Sequence, residues 1–160
     1  MKLKDIELTD NNHFIVMEYY FLILNRTFLV IKSDDYLIGI QANGMVSVEG
    51  GEDVLTHFMT AKMAIKNDLK NPTSYLKSKY LDKIANLDLL DGSIINANKT
   101  NFILKISDIK SANYNPSKKF GMGYYPHDGR VTIRTIQNKK REFIILGNQS
   151  GQHIANLLTR

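Results

Sequence analysis

The chain has 160 residues, no cysteine and a formal net charge of +5. This length suits a single domain, and the absence of cysteine excludes disulfide bonds and thiolate metal sites. The charge is uneven, at −5 over residues 1–60, +4 over 61–110 and +6 over 111–160, a pattern that suits either a solvated face or a surface that attracts anions.

The N-terminal sequence predicts neither a membrane span nor a signal peptide. The apolar stretch of residues 14–24 contains Glu18 and is shorter than the about 20 apolar residues that a spanning helix needs. Acidic residues follow Lys2 and Lys4 before this stretch begins, which does not match a signal peptide. We therefore expect a cytoplasmic protein.

Residues 14–48 predict an antiparallel meander of short strands. Runs of β-branched and aromatic residues (FIVM, YYFLIL, TFLVI, YLIGI and MVSV) are separated by turn residues at 25–26, 33–35 and 43–44, as strands usually are. The last of these turns is Asn-Gly, which supplies the positive φ angles of a tight hairpin.

Residues 52–84 predict an inserted helical hairpin. Asn71 suits the cap of the second helix and Pro72 its first turn, since proline ends one helix and is tolerated at the start of the next. The apolar stripes are Leu55, Phe58, Ile65 and Leu69 in the first helix, and Leu76, Tyr80 and Ile84 in the second. Phe58, Met59, Met63 and Ile65 fit either the core or a partner helix or another copy of the chain, which leaves a homo-oligomer open.

Strand patterns resume near Leu87, after which Asp91-Gly92 marks a turn. Ile154, Leu157 and Leu158 then predict a closing amphipathic helix. No repeat or linker divides the sequence, so we expect one domain over residues 1–160. The strands are predicted at residues 93–97, 101–106, 109–115, 130–136 and 142–147.

Four segments of the second half resemble bacterial pleckstrin-homology-like and GRAM-like modules. The resemblance implies an α+β fold, in which a strongly bent antiparallel sheet or barrel is plugged by a C-terminal helix; the hairpin at 52–84 would be an insertion. Small bacterial proteins of this kind are uncharacterised in function, so the resemblance implies a fold rather than an activity. The segments are NFILKISDIKSANYN (101–115), KKFGMG (118–123), GRVTIRT (129–135) and KKREFIILG (139–147).

The chain departs from the inositol-lipid-binding members of that family at one place. Those members cluster Lys and Arg around the hairpin that joins their first two strands. Here the early turns offer only Arg26 and Lys32, beside Asp34 and Asp35. Binding of an anionic lipid headgroup by the family's usual route is therefore not expected.

The loop of residues 116–129 (PSKKFGMGYYPHDG) is long enough to be a binding element. Lys118 and Lys119 suit an anion, whereas Tyr124 and Tyr125 suit stacking on a ring or packing against a partner. The alternative is a packed loop that covers the open end of the sheet.

A basic patch is predicted next to this loop. Arg130 and Arg134 alternate with apolar residues and so share one sheet face, and the basic turn of residues 139–141 follows in sequence. The patch would suit phosphate contacts, but no nucleic-acid-binding signature accompanies it. The alternative is protection of a sheet edge by charge.

The sequence contains no catalytic or metal-binding motif. His127-Asp128 is the one adjacent imidazole and acid pair in a glycine-bearing loop, so a small enzyme that uses this pair is an alternative. His13 and His57 are not spaced from this pair as the ligands of a metal site are. We therefore expect neither a metal nor a cofactor.

The sequence thus favours a non-enzymatic binding or scaffolding module that recognises a protein, a peptide or an anionic ligand through a basic and aromatic hairpin. Peripheral binding to an anionic membrane is a further alternative, and nucleic acid is disfavoured. The candidate binding residues are Lys118, Lys119, Tyr124, Tyr125, His127, Arg130, Arg134, Lys139, Lys140 and Arg141.

Overall fold

A computed structural model describes residues 1–21, 24–42, 78–118 and 127–159. Within these ranges the chain forms seven strands and three α-helices. The strands are β1 (His13–Phe21), β2 (Leu24–Lys32), β3 (Tyr36–Gln41), β4 (Phe102–Lys105), β5 (Ile109–Asn115), β6 (His127–Thr135) and β7 (Lys140–Leu146), and the helices are α1 (Ser78–Ala85), α2 (Ser93–Ala97) and α3 (Gly151–Leu157).

The strands form one antiparallel sheet in the order β4-β3-β2-β1-β7-β6-β5. The two edge strands, β4 and β5, are consecutive in sequence and are joined only by the 3-10 turn Ile106–Asp108. This link reaches at most about 14 Å, whereas the edges of a flat seven-stranded sheet lie about 29 Å apart. The sheet therefore curls into a half-barrel.

The concave face of the half-barrel carries one of two apolar cores. Phe14, Val16 and Phe28 extend from the central strands into this core, and Ile154 of α3 and Leu158, the residue after it, join them. Rings on β4 and β7, which have three strands between them in the sheet, touch within this core, which is possible only on the inside of the curl. The terminal helix therefore fills the concave face, as the predicted stripe of Ile154 and Leu158 requires.

The convex face is also buried, because the alternate residues of the central strands are apolar as well. Ile15, Met17 and Leu29 point to this side, as the two-residue period of a strand requires. Leu3, Ile84, Leu89 and Ile94, from the N-terminal turn, α1, the loop after it and α2, cover them. The predicted buried positions Tyr80 and Ile84 do pack in this core.

The barrel-like α+β class is confirmed, and so are most strands of the second half. The strand predicted at 109–115 matches β5, and those predicted at 101–106, 130–136 and 142–147 overlap β4, β6 and β7. The predicted hairpin at 43–44, the strand MVSV and the helix before Pro72 lie outside the described residues.

Two local predictions were wrong. The turn expected at Asn25-Arg26 lies inside β2, where Arg26 pairs opposite Glu18; opposite charges favour such a cross-strand pair. Residues 93–97 form α2 rather than a strand; Gly92, with a φ of 84°, caps the helix, and Asp91 Oδ1 accepts a hydrogen bond from the Ser93 amide at 2.8 Å.

Candidate binding cleft

A cleft of about 460 Å³ opens between the outer edge of β4 and the β6–β7 hairpin. Its size falls within the range of small-molecule and peptide side-chain sites. The concave core forms its floor, and the turn that joins β4 to β5 closes one end. The lining residues are Tyr36, Phe102, Ile103, Leu104, Lys105, Asp108, Ile133, Thr135, Gln137, Lys139 and Arg141.

The outer edge of β4 presents backbone groups to this cleft that no described strand pairs. The Ile106 amide donates to the Asp35 carbonyl at 2.8 Å, and antiparallel partners exchange hydrogen bonds at every second residue. With the register Tyr36↔Lys105, this alternation turns the amides and carbonyls of Ile103 and Lys105 away from β3. Among the described residues, nothing pairs with that edge in the sheet.

Phe102 forms the aromatic wall of the cleft because its partner in β3 is a glycine. A side chain on Gly39 would overlap the Phe102 ring, so the glycine lets the ring fold flat over the neighbouring strand. The ring centroid lies 5.5 Å from that of Phe28, edge to face, and 6.0 Å from that of Phe143, stacked. These are favourable aromatic geometries.

Arg141 covers the outer side of this aromatic wall. Its guanidinium carbon lies 3.7 Å from the Phe102 ring centroid, within reach of a cation–π interaction. Its Nη1 donates to Glu18 Oε2 at 2.7 Å. Burial raises the pKa of Glu18 above its ordinary value, although the charges of Arg141 and Arg26 act in the opposite direction. The guanidinium is therefore held in place between a ring and a carboxylate.

Lys105 and Lys139 supply the remaining positive charge of the cleft. Neither forms an ion pair within the described part of the chain. Asp108, at the closed end, adds one negative charge. Because Glu18 already neutralises Arg141, the two lysines exceed the one carboxylate, and the cleft favours an anionic ligand.

The structure divides the sequence-predicted binding residues among three places. Lys139 and Arg141 line the cleft. Arg130, Arg134 and Lys140 lie on the convex side of β6 and β7, where Glu142 pairs with Arg130 at 3.5 Å and with Lys140 at 3.1 Å. This surface therefore carries less net positive charge than the basic residues of its sequence alone indicate.

Lys118 and His127 lie at the opposite end of β5 and β6 from the cleft, next to residues 119–126. Lys119, Tyr124 and Tyr125 fall outside the described residues. Burial lowers the pKa of His127, and the charge of Lys118 lowers it further.

Asp128 connects β6 to the start of α3. Its Oδ1 accepts a hydrogen bond from the Tyr114 hydroxyl at 2.7 Å, and its Oδ2 accepts one from the Gly151 amide at 2.7 Å. The hydrogen bond to Asp128 raises the pKa of Tyr114. One carboxylate oxygen thus ties β6 to the start of the terminal helix, and the other ties it to Tyr114 of β5.

Replacing Asp128 with alanine should lower the free energy of unfolding by about 2 kcal/mol, because two hydrogen bonds to a carboxylate are lost. Asp128→Asn retains one acceptor oxygen and should lose about half as much. Urea unfolding of both variants measures the difference, with exposed Asp34→Ala as the control. Equal stability of Asp128→Ala and the parent would contradict this role.

Sequence reasoning missed three residues of the cleft region: Glu18, Phe102 and Lys105. A carboxylate inside an apolar run was a usable signal for Glu18, since such a group requires a partner when it is buried. Glycine inside the YLIGI strand was a signal that another group approaches closely at Gly39. The position of Lys105 at the sheet edge depends on strand order, which no local pattern carries.

No helix within the described ranges is long and apolar enough to cross a membrane. The same ranges contain no cluster of three or more His, Asp or Glu side chains placed to hold a metal ion. Comparisons of the chain with protein-family models, curated proteins and solved structures found no match.

Proposed function

We propose that this chain is a non-enzymatic binding module of the pleckstrin-homology-like superfamily, and that it recognises an acidic segment of a partner protein at the cleft beside β4. The observation that carries the proposal is the pair of lysines, Lys105 and Lys139, that face a cleft with an aromatic wall. The strand order, the curl and the terminal helix support the superfamily assignment alongside the sequence resemblance.

The chemistry of the lining suits holding a ligand. Phe102, Leu104 and Ile133 offer apolar contact area, and the lysines add charge at the rim. Arg141 is fixed by Glu18 and the ring, so little side-chain freedom is lost when a ligand contacts it. Rim charges of this kind accelerate association and discriminate between partners more than they add affinity.

A double variant, Lys105→Ala with Lys139→Ala, tests this proposal. We expect it to bind a fluorescein-labelled peptide of ten glutamates roughly tenfold more weakly than the parent, because each rim ion pair contributes up to about 1 kcal/mol. Asp108→Asn should change the affinity in the opposite direction. Fluorescence anisotropy at low salt measures both, since added salt screens such contacts.

Lys4→Ala with Lys118→Ala is the matched control, because it removes the same charge from two exposed positions outside the cleft lining. It should retain most of the affinity. If this control loses as much affinity as the cleft variant, binding follows net charge or the 116–129 loop, and the cleft proposal fails.

A further inference from the structure

One edge of β4 borders the cleft and is paired by no described strand. Ile103 and Lys105 each turn one amide and one carbonyl away from β3, as the register and the alternation of hydrogen bonds require. An extended peptide can add a strand to such an edge, with backbone hydrogen bonds giving affinity and alternate side chains giving specificity.

The lining of the cleft shows that this edge is open to it. All four residues of β4, Phe102 to Lys105, line the cleft in succession, although alternate side chains of a strand point to opposite faces. Four consecutive lining residues therefore mean that the strand borders the cleft along its edge. The edge is about 14 Å long, enough for four residues of an added strand.

The two sides of β4 differ in chemistry. Phe102 and Leu104 point to the concave side, where they join Ile133 in the apolar core, whereas Lys105 and Ile103 point to the other side. An added strand places its alternate side chains on the same two sides. Its inward residues would meet apolar groups, and its outward residues would meet Ile103 and the charge of Lys105.

From these observations we infer that the acidic segment binds as an eighth strand on the edge of β4, with apolar residues facing inward and acidic residues facing outward. This inference rests on the proposed function and specifies its ligand as an extended peptide with alternating apolar and acidic residues. Lys139, on the β6–β7 hairpin, would then flank the added strand on the side opposite β4.

Selective methylation of peptide amides tests the inference. The probe is a labelled hexapeptide of alternating valine and glutamate, prepared unmethylated, N-methylated at the glutamates, or N-methylated at the valines. In an antiparallel pair, residues that exchange hydrogen bonds share a side of the sheet, so the outward glutamates would bond Ile103 and Lys105. We expect methylation at glutamate to weaken binding at least tenfold, since about two hydrogen bonds are lost, and methylation at valine to be tolerated.

The reverse selectivity would indicate the same strand in the parallel orientation, in which the inward residues make the backbone bonds. Equal loss, or no loss, with both methylated peptides would overturn the added strand. If binding then still depends on Lys105 and Lys139, the proposed function remains and only the strand is lost. Failure of the unmethylated hexapeptide to bind where decaglutamate binds would also overturn the inference.

Amide hydrogen exchange gives a second readout. Saturation with the unmethylated hexapeptide should slow exchange at the amides of Ile103 and Lys105, which have no partner among the described strands. The amides of Phe102 and Leu104 face β3 and should change much less. Unchanged exchange at Ile103 and Lys105 under saturation would contradict binding at this edge.

Discussion

Replacing Phe102 with alanine is expected to lower the free energy of unfolding by about 3–5 kcal/mol, the range found when a buried phenylalanine is removed from a packed core. The side chain is only 7% exposed and contacts the rings of Phe28 and Phe143. Its loss also removes the surface on which Arg141 rests. Urea unfolding followed by circular dichroism measures the change.

Gly39→Ala supplies the matched partner for a double-mutant cycle. In the parent, the new methyl group would overlap the Phe102 ring and should cost about 1–3 kcal/mol, as overpacking usually does. In the Phe102→Ala background the ring is absent, so the same change should cost much less. Additive losses in the double variant would show that the ring does not lie over Gly39.

The second large effect is expected from Arg141, and it should be asymmetric across the ion pair. Arg141→Met leaves the carboxylate of Glu18 buried without its nearest counter-charge and should destabilise the fold by about 2 kcal/mol; complete burial would cost more. Glu18→Gln should change stability by less than about 1 kcal/mol. The reason is that burial already opposes the charged form of Glu18, whose pKa is raised despite Arg141.

The dependence on pH follows from the same pair. A carboxyl group whose pKa is raised by folding binds more protons in the folded state than in the unfolded state. The stability of the protein therefore falls as pH rises from the ordinary pKa of 4.5 through the raised pKa of the folded state. Removing Arg141 raises that pKa further. The defect of Arg141→Met should therefore shrink as pH falls towards 4.5, and Arg141→Met combined with Glu18→Gln should show little of this dependence.

Chemical denaturation of these three variants at several pH values provides the measurement. Glu18→Gln retains the shape of the glutamate and serves as the control for lost charge. A larger loss from Glu18→Gln than from Arg141→Met would mean that the cation, rather than the carboxylate, is the costly buried charge.

Local patterns predicted the parts of the fold whose cause is local. The alternation of Val131 and Ile133 with polar residues correctly predicted which side chains of β6 share a face. The turn at Asp91-Gly92 was also predicted correctly, although a helix and not a strand follows it. The turn predicted at Asn25-Arg26 was wrong because the turn preference of asparagine is outweighed by the cross-strand partner of Arg26, which is Glu18. That partner, on β1, is known only once the strands are paired.

The cleft could not be predicted from local patterns for the same reason. Its two walls, residues 102–105 and 133–141, meet only because the sheet curls, and the curl follows from the short link between its edge strands. Sequence reasoning therefore identified Lys139 and Arg141 as basic residues of a hairpin. It could not show that these two residues lie on a different face of the sheet from Arg130 and Lys140, which form ion pairs with Glu142.

The strand order also has a consequence for how the chain folds. Strands β1 to β4 and strands β5 to β7 are two sets of sheet neighbours that are each consecutive in sequence. One seam joins them, the pairing of Val16 with Ile145 and of Met17 with Ile144, and it closes a loop of more than a hundred residues. Since contacts that close long loops form slowly, each meander can be built from closer partners before this seam completes the half-barrel.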